Sequence, residues 1–374
     1  MTIPFNPCWE SDQLLAMPFD QYQRYRLTAE LVVALKKAAG AAEERWRILD
    51  VGGYFRNMRG EDRLPLTEFL LADEVQVVDM VDFEHPQYLK ASGTDLPFED
   101  RSFDVVASCD TLEHIPRDSR SRFLHEIRRV ARRAVVLAAP HATQGVSRAE
   151  RALDEYLRSF GIVHQMLDEH LRYGIPDPDW VDSWLNEQGA SFVAFPSGYL
   201  PRWQLMMLLK HQLIALPNTL ELHERLDQTY NPAFYARDQR GPGYRRVYLI
   251  MTSGEVPAAI HPFVERASRR EPEDATAELI GLVAAPFIRA LTHLGQLQER
   301  YSQLAEAHAA MAATYHQAVH NAAVLEGEKR GLHEQLELLR WQNEILQARL
   351  SNTGLRGVLS GILQRGRRFL RQGR

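Results

Sequence analysis

Four short apolar runs, at residues 48–51, 75–79, 103–108 and 134–139, alternate with stretches whose apolar residues recur at helical spacing, notably 20–39 and 120–132. Strands that alternate with helices predict a parallel sheet covered on both faces, since each crossover must return the chain to the same end of the sheet. The pattern resumes with a helix at 180–187, a strand at 191–195 and a strand at 246–251. Between the last two lies an apolar helical insertion, about 198–243, containing Trp203, Leu205, Met206, Met207, Leu208 and Leu209. It reads either as ordinary core, as a lid over a greasy acceptor, or as a membrane-facing helix.

A chain of 374 residues with 45% apolar and 25% charged residues is large enough for one sizeable domain and an appendage. Its net charge of -5 gives no general attraction to nucleic acid, and no nucleic-acid partner is expected. Cys8 and Cys109 lack metal-ligand spacing, which argues against zinc and for a reducing compartment. The first residues lack a secretory pattern, and no run reaches the roughly 18 apolar residues of a spanning helix, so a cytoplasmic location is expected.

Parallel sheets bind ligands beyond the carboxyl ends of their strands, where strand order reverses. The first run, Ile48-Leu49-Asp50-Val51-Gly52-Gly53, ends in a glycine pair that lets backbone approach a ligand. Asp79, closing the second strand, has a carboxylate suited to two ribose hydroxyls. Each feature alone fits a tight turn or a helix cap equally well. The order becomes specific with Gly93-Thr94-Asp95-Leu96-Pro97-Phe98, then Ser102-Phe103-Asp104-Val105-Val106, then Leu112-Glu113-His114-Ile115-Pro116. Over about residues 22–251 the chain resembles the class I S-adenosylmethionine-dependent methyltransferases.

That resemblance implies a Rossmann-like α/β domain with S-adenosylmethionine as cofactor. Asp50, Gly52 and Gly53 would border the methionine end, Asp79 the ribose, and the segment from Gly93 through Thr94 and Asp95 to Leu96 the adenine. Tyr54, Met80, Cys109 and Asp110 complete the expected cofactor set, with Ser92 where an acid often faces adenine. The chain departs from the pattern at Tyr54-Phe55-Arg56-Asn57, where further glycines are usual.

Methyl transfer is an in-line displacement that needs a base when the acceptor is a hydroxyl. His114 and His141, after the third and fourth of these strands, are the catalytic candidates. Asp110, Glu113 and His114 also resemble the acid-x-x-Glu-His cluster of certain metal-assisted O-methyltransferases. Asp110 stands in place of the usual glutamate, and the same turn occurs in relatives without metal, so no metal is assigned.

The domain is read as residues 1–254, followed by a proline-marked linker at 255–286. From Phe287 apolar residues alternate three and four apart to Leu350, a heptad repeat with leucine dominant at d and Lys329 and Asn343 at a. This predicts a coiled coil at 287–350, a parallel dimer with a trimer as the runner-up, softened at Gly327 and Gly331. Residues 351–374 carry six arginines beside an apolar stripe and read as a basic amphipathic tail for the cytoplasmic face of the inner membrane, the alternatives being a disordered basic tail or a nucleic-acid contact. The whole architecture resembles enzymes that methylate the growing end of bacterial surface polysaccharides, with a glycan or lipid acceptor. A scaffold on a decayed methyltransferase fold is the alternative.

Overall fold

A computed structural model describes residues 3–4, 6–214, 219–269, 292, 295–303 and 315–350. The strands are β1 (Arg47–Val51), β2 (Phe55–Arg56), β3 (Asp62–Arg63), β4 (Glu74–Asp79), β5 (Tyr88–Lys90), β6 (Phe103–Cys109), β7 (Ala131–Pro140), β8 (Ser191–Tyr199) and β9 (Gly243–Met251). Seven of them form one sheet in the order β5-β4-β1-β6-β7-β9-β8, and β2 pairs with β3 in a small hairpin. From β5 to β7 neighbours run parallel, as expected. The parallel pairing read from the alternating elements does not extend to the far edge, where β9 runs antiparallel to both β7 and β8. Strand direction is set by the path of the connection, which apolar patterning does not encode.

Strand alternation divides the core into two faces. Ile48, Val75, Val77, Val105 and Ala107 pack with α2 (Phe19–Ala38) and α3 (Pro65–Phe69). Leu49, Val51, Val78 and Val106 pack on the other face with α4 (Arg120–Val130) and α7 (Pro178–Glu187). A third cluster joins Phe19 and Tyr244 to α5 (Gln144–Ser159), α6 (Gln165–Tyr173) and parts of α8 (Leu200–Ile214) and α9 (Leu220–Asp238). Neither α5 nor α6 is evident from the sequence reading.

The span read as a linker begins inside the core: α10 (His261–Ser268) buries Phe263 and Ala267, beside Ile260. Its prolines mislead because Pro257 caps a short helical turn and Pro262 lies in the first turn of α10, positions that tolerate a missing N–H.

The chain divides into two compact units, residues 1–208 with 224–273, and residues 209–223 with 274–374. The first contains the whole sheet. In the second, α11 (Tyr315–Leu350) runs for 36 residues, unbroken at Gly327 and Gly331. The heptad positions at 287, 290, 294, 304, 308 and 311, and the basic tail at 351–374, lie outside the described residues. Among those described, no helix is long and apolar enough to cross a membrane.

Candidate active site

The chain places β4 and β5 on one side of β1, then returns to add β6 and β7 on the other, so order reverses between β1 and β6. A ligand site is expected beyond the carboxyl ends of these two strands. The glycine pair sits there. Gly52 has φ +83°, and a Cβ on it would lie 2.1 Å from Thr111 Oγ1. Thr111 in turn donates to the Val51 carbonyl at 3.1 Å, and Gly52 N donates to the Val78 carbonyl at 2.7 Å, tying three strand ends together. A Cβ on Gly53 would meet Asp50 Oδ2 at 2.1 Å. Only glycine fits either position.

Asp50 is fully buried, and neither carboxylate oxygen has a hydrogen-bond partner of ordinary geometry. Burial pushes its pKa up to about 7, against the opposing pull of Arg24. Asp79 is better supplied: it accepts from Tyr54 N at 3.2 Å and Met80 N at 2.6 Å. Even so, burial raises its pKa above the ordinary carboxylate value. Tyr54 packs against Phe83 and Tyr88, and its hydroxyl donates to Asp62 at 2.5 Å. The run that replaces the expected glycines is thus the start of the β2–β3 hairpin, which gives the loop a built wall.

The adenine-side candidates are less tightly gathered. Ser92 and Thr94 share a hydroxyl hydrogen bond of 2.8 Å, and a Cβ on Gly93 would strike the Phe123 ring at 2.6 Å. Asp95 is exposed and pairs with Arg122 at 3.3 Å. Met80 is 62% exposed beside Asp79.

Two candidates turn inward. Cys109 is buried with its Sγ 3.3 Å from Thr28 Oγ1, and burial pushes the thiol up to about 12. Asp110, in a positive-φ turn (52°), has its carboxylate clasped by Arg245 Nε at 2.7 and 2.9 Å and by Arg24. Burial opposes its ionisation, but the two arginines hold it well below the usual carboxylate range. Arg245 reaches on to Asp20 at 2.6 Å, and Asp20 accepts from Trp203 Nε1 at 3.0 Å. Asp110 therefore braces the site, and its side chain is committed to cations of the chain itself.

Of the two candidate bases, His114 forms a hydrogen bond through Nδ1 to Glu169 at 2.8 Å. Burial and the neighbouring His170 lower its pKa. His141 follows β7, where burial and Arg246 push it down to about 4. Both are thus neutral at pH 7, as a general base must be. Beside His114, Glu113 is buried, and burial followed by the charge of Asp110 pushes its pKa up to about 8.

The sequence reading missed Arg24, Arg245, Glu150, Glu169 and His170. The last three are delivered by helices. Thr143 caps α5 by accepting from Val146 N at 3.2 Å, and α6 ends at Gly174 with φ +73°. Arg117 donates to the Tyr173 carbonyl at 2.8 Å, and Arg120 binds the Ile115 carbonyl at 3.0 Å, pinning the end of α6 to the turn that carries Glu113 and His114.

Residues 71–139 match a family model described as a methyltransferase domain. An uncharacterized methyltransferase of Mycobacterium sp. (strain KMS) is 33% identical over 132 residues, covering 31% of this chain and 50% of the relative. The chain thus spans about half the length of the curated relatives it matches. Solved structures similar to it include the YcgJ protein of Bacillus subtilis, at 13% identity and TM-score 0.31, covering 59% of this chain and 98% of that one. Another is the magnesium protoporphyrin IX methyltransferase of Synechocystis with bound SAH, at 18% identity and TM-score 0.32, covering 46% and 77%. The family match runs from just before β4 to the end of β7; it includes β6 on one side of the reversal, while β1 and the glycine pair precede it. Over residues 71–139 the chain is thus similar to a methyltransferase domain, and the sheet built around that segment has the reversal of strand order seen in Rossmann-like folds.

Proposed function

We propose that the domain binds S-adenosylmethionine at the β1–β6 reversal and methylates a hydroxyl of a membrane-linked glycan or lipid acceptor in bacterial surface polysaccharide synthesis. One observation carries the cofactor half of this reading. At the strand ends the side-chain-free backbone of Gly52 and Gly53 closes onto Thr111 and Asp50, Asp50 is buried with carboxylate oxygens that lack a hydrogen-bond partner of ordinary geometry, and a second aspartate, Asp79, stands on the neighbouring strand. Asp50 suits an ammonium group, whose positive charge would draw its proton off, and Asp79 suits a pair of hydroxyls. The bound cofactor supplies an electrophilic methyl group on a sulfonium.

The chain's own residues then orient and deprotonate. His114, held by Glu169 at Nδ1, keeps Nε2 as the acceptor for a hydroxyl proton. The acceptor class rests on the arginine-rich 351–374 segment, because Trp203 and Met206 of the insertion are buried in the third core cluster. The heptads at 287–350 support self-association as a parallel dimer, and the basic tail supports peripheral attachment to anionic lipid at the cytoplasmic face of the inner membrane.

Calorimetric titration of the full chain with S-adenosylhomocysteine tests the cofactor reading. Saturable binding is expected, weakened at least about tenfold in Asp79→Ala, about 1.4 kcal/mol. No heat of binding in the unaltered chain would overturn it. Flotation with anionic liposomes, with and without residues 351–374, tests attachment: equal recovery of both forms would refute it.

A further inference from the structure

The strand-end turn and α6 together present three ligand-bearing side chains, Glu113, His114 and His170, whose donor atoms all lie within 4.8 Å of one another. We infer that they form a site for a divalent transition-metal ion; an ion there takes up the Nε2 lone pair of His114, so with the ion bound His114 no longer serves as the base and His141 is the remaining candidate. Two independent observations point to a missing ligand. Glu113 Oε2 and His170 Nε2 are both buried and have no hydrogen-bond partner, on residues only 1% and 6% exposed. Buried polar atoms of native proteins are almost always satisfied, and leaving two adjacent ones unsatisfied is costly.

The surroundings are those of a metal centre rather than of an ordinary polar core. His170 Nδ1 pairs with Glu150 Oε1 at 2.9 Å, and His114 Nδ1 pairs with Glu169 Oε2 at 2.8 Å. A carboxylate at each Nδ1 fixes the proton there and turns the lone pair of Nε2 towards Glu113, the outer-shell arrangement that orients metal-bound histidines. Glu150 is itself fixed by the Tyr244 hydroxyl at 2.8 Å. The nearby Arg120 spends its guanidinium on the Glu113 and Ile115 carbonyls and leaves the Glu113 carboxylate free.

Two imidazole nitrogens and one carboxylate oxygen select zinc, cobalt, iron(II) or manganese over calcium or magnesium, which prefer oxygen alone. Three protein ligands leave a coordination position open. Ligand atoms around zinc stand about 3–4 Å apart, so side-chain adjustments of roughly 1 Å or less close the site. The ligand set differs from the acid-x-x-Glu-His pattern noted in the sequence: Asp110 is taken by its arginines, and a histidine from α6 joins instead.

The test uses the full chain, stripped with a chelator and titrated with cobalt(II) without cofactor, so it stands apart from the methyl-transfer reading. One equivalent per chain is expected, with a visible absorption band of mixed nitrogen and oxygen ligation. His170→Gln and Glu113→Gln should abolish the band and weaken binding by at least about 100-fold, while Glu150→Gln should weaken it about 10- to 100-fold. Exposed His85→Ala should leave it unchanged. Circular dichroism and the thermal midpoint of each stripped variant establish that it is folded; should His170→Gln not fold, the isosteric Glu113→Gln decides. No band in the unaltered chain, or an undiminished band in the folded variants, overturns the site.

Discussion

Asp50, fully buried, and Asp110, largely buried, lie at the carboxyl-end side of one sheet, the first on β1 and the second just past β6, yet their surroundings are opposite. Asp110 is clasped by two arginines and stays ionised at any ordinary pH. Asp50 has no partner of ordinary geometry and holds its proton to about pH 7. The contrast separates support from binding. An acid whose charge is fully matched by internal cations maintains the framework, while one such as Asp50, touched only by the Tyr25 hydroxyl and the more distant pull of Arg24, is available to a ligand, at a cost to the empty fold.

The largest effect is expected from breaking the satisfied member. Asp110→Ala leaves Arg24 and Arg245 buried with an unbalanced charge and should cost about 3–5 kcal/mol in urea denaturation. A loss below about 1 kcal/mol would show that the arginines are held without it, and the contrast would collapse.

Asp50→Asn should act in the other direction. In the unfolded chain Asp50 ionises near 3.8, but in the fold not until about 7. Between these values the folded state keeps a proton that the unfolded state has lost, so stability falls as pH rises through that window and then levels. The asparagine variant should lose this component and gain on the order of 1–3 kcal/mol at pH 8, while binding S-adenosylhomocysteine less well. A stability profile parallel to that of the unaltered chain from pH 4 to 8 would refute the assignment.

The smallest effect should come from Tyr54→Phe, which removes the hydroxyl that Asp62 accepts on the exposed side of the hairpin. A loss of about 1 kcal/mol or less is expected by the same denaturation assay. That outcome would establish burial, rather than the number of partners, as what scales the cost of an orphaned acid.

Much of this was legible in the chain itself, for a physical reason: the cofactor-side features are local. A glycine pair, a strand-end acid and the Leu-Glu-His turn lie within single loops, so spacing along the sequence reproduces spacing in the fold. Strand β9 was visible as an apolar run but its direction was not, because direction depends on the whole path back across the sheet. The partners of Asp110 were hidden for a related reason. Arg24 sits on a helix before the first strand and Arg245 on the last one, and nothing in either segment marks a common destination. His170 was missed because α6 carries Gln165, Asp168 and Arg172 on the solvent side and reads as ordinary surface. The Glu169-His170 pair was the one local signal that could have drawn attention to it.

The antiparallel edge also bears on how such a domain diversifies. Because β8 and β9 pair with each other beyond β7, the long helical segment between them interrupts no strand of the cofactor-binding half. Insertions and substitutions there can accumulate while the glycine pair, Asp79 and the arginine-braced Asp110 remain under constant constraint. Related chains are therefore expected to differ most in length between these two strands.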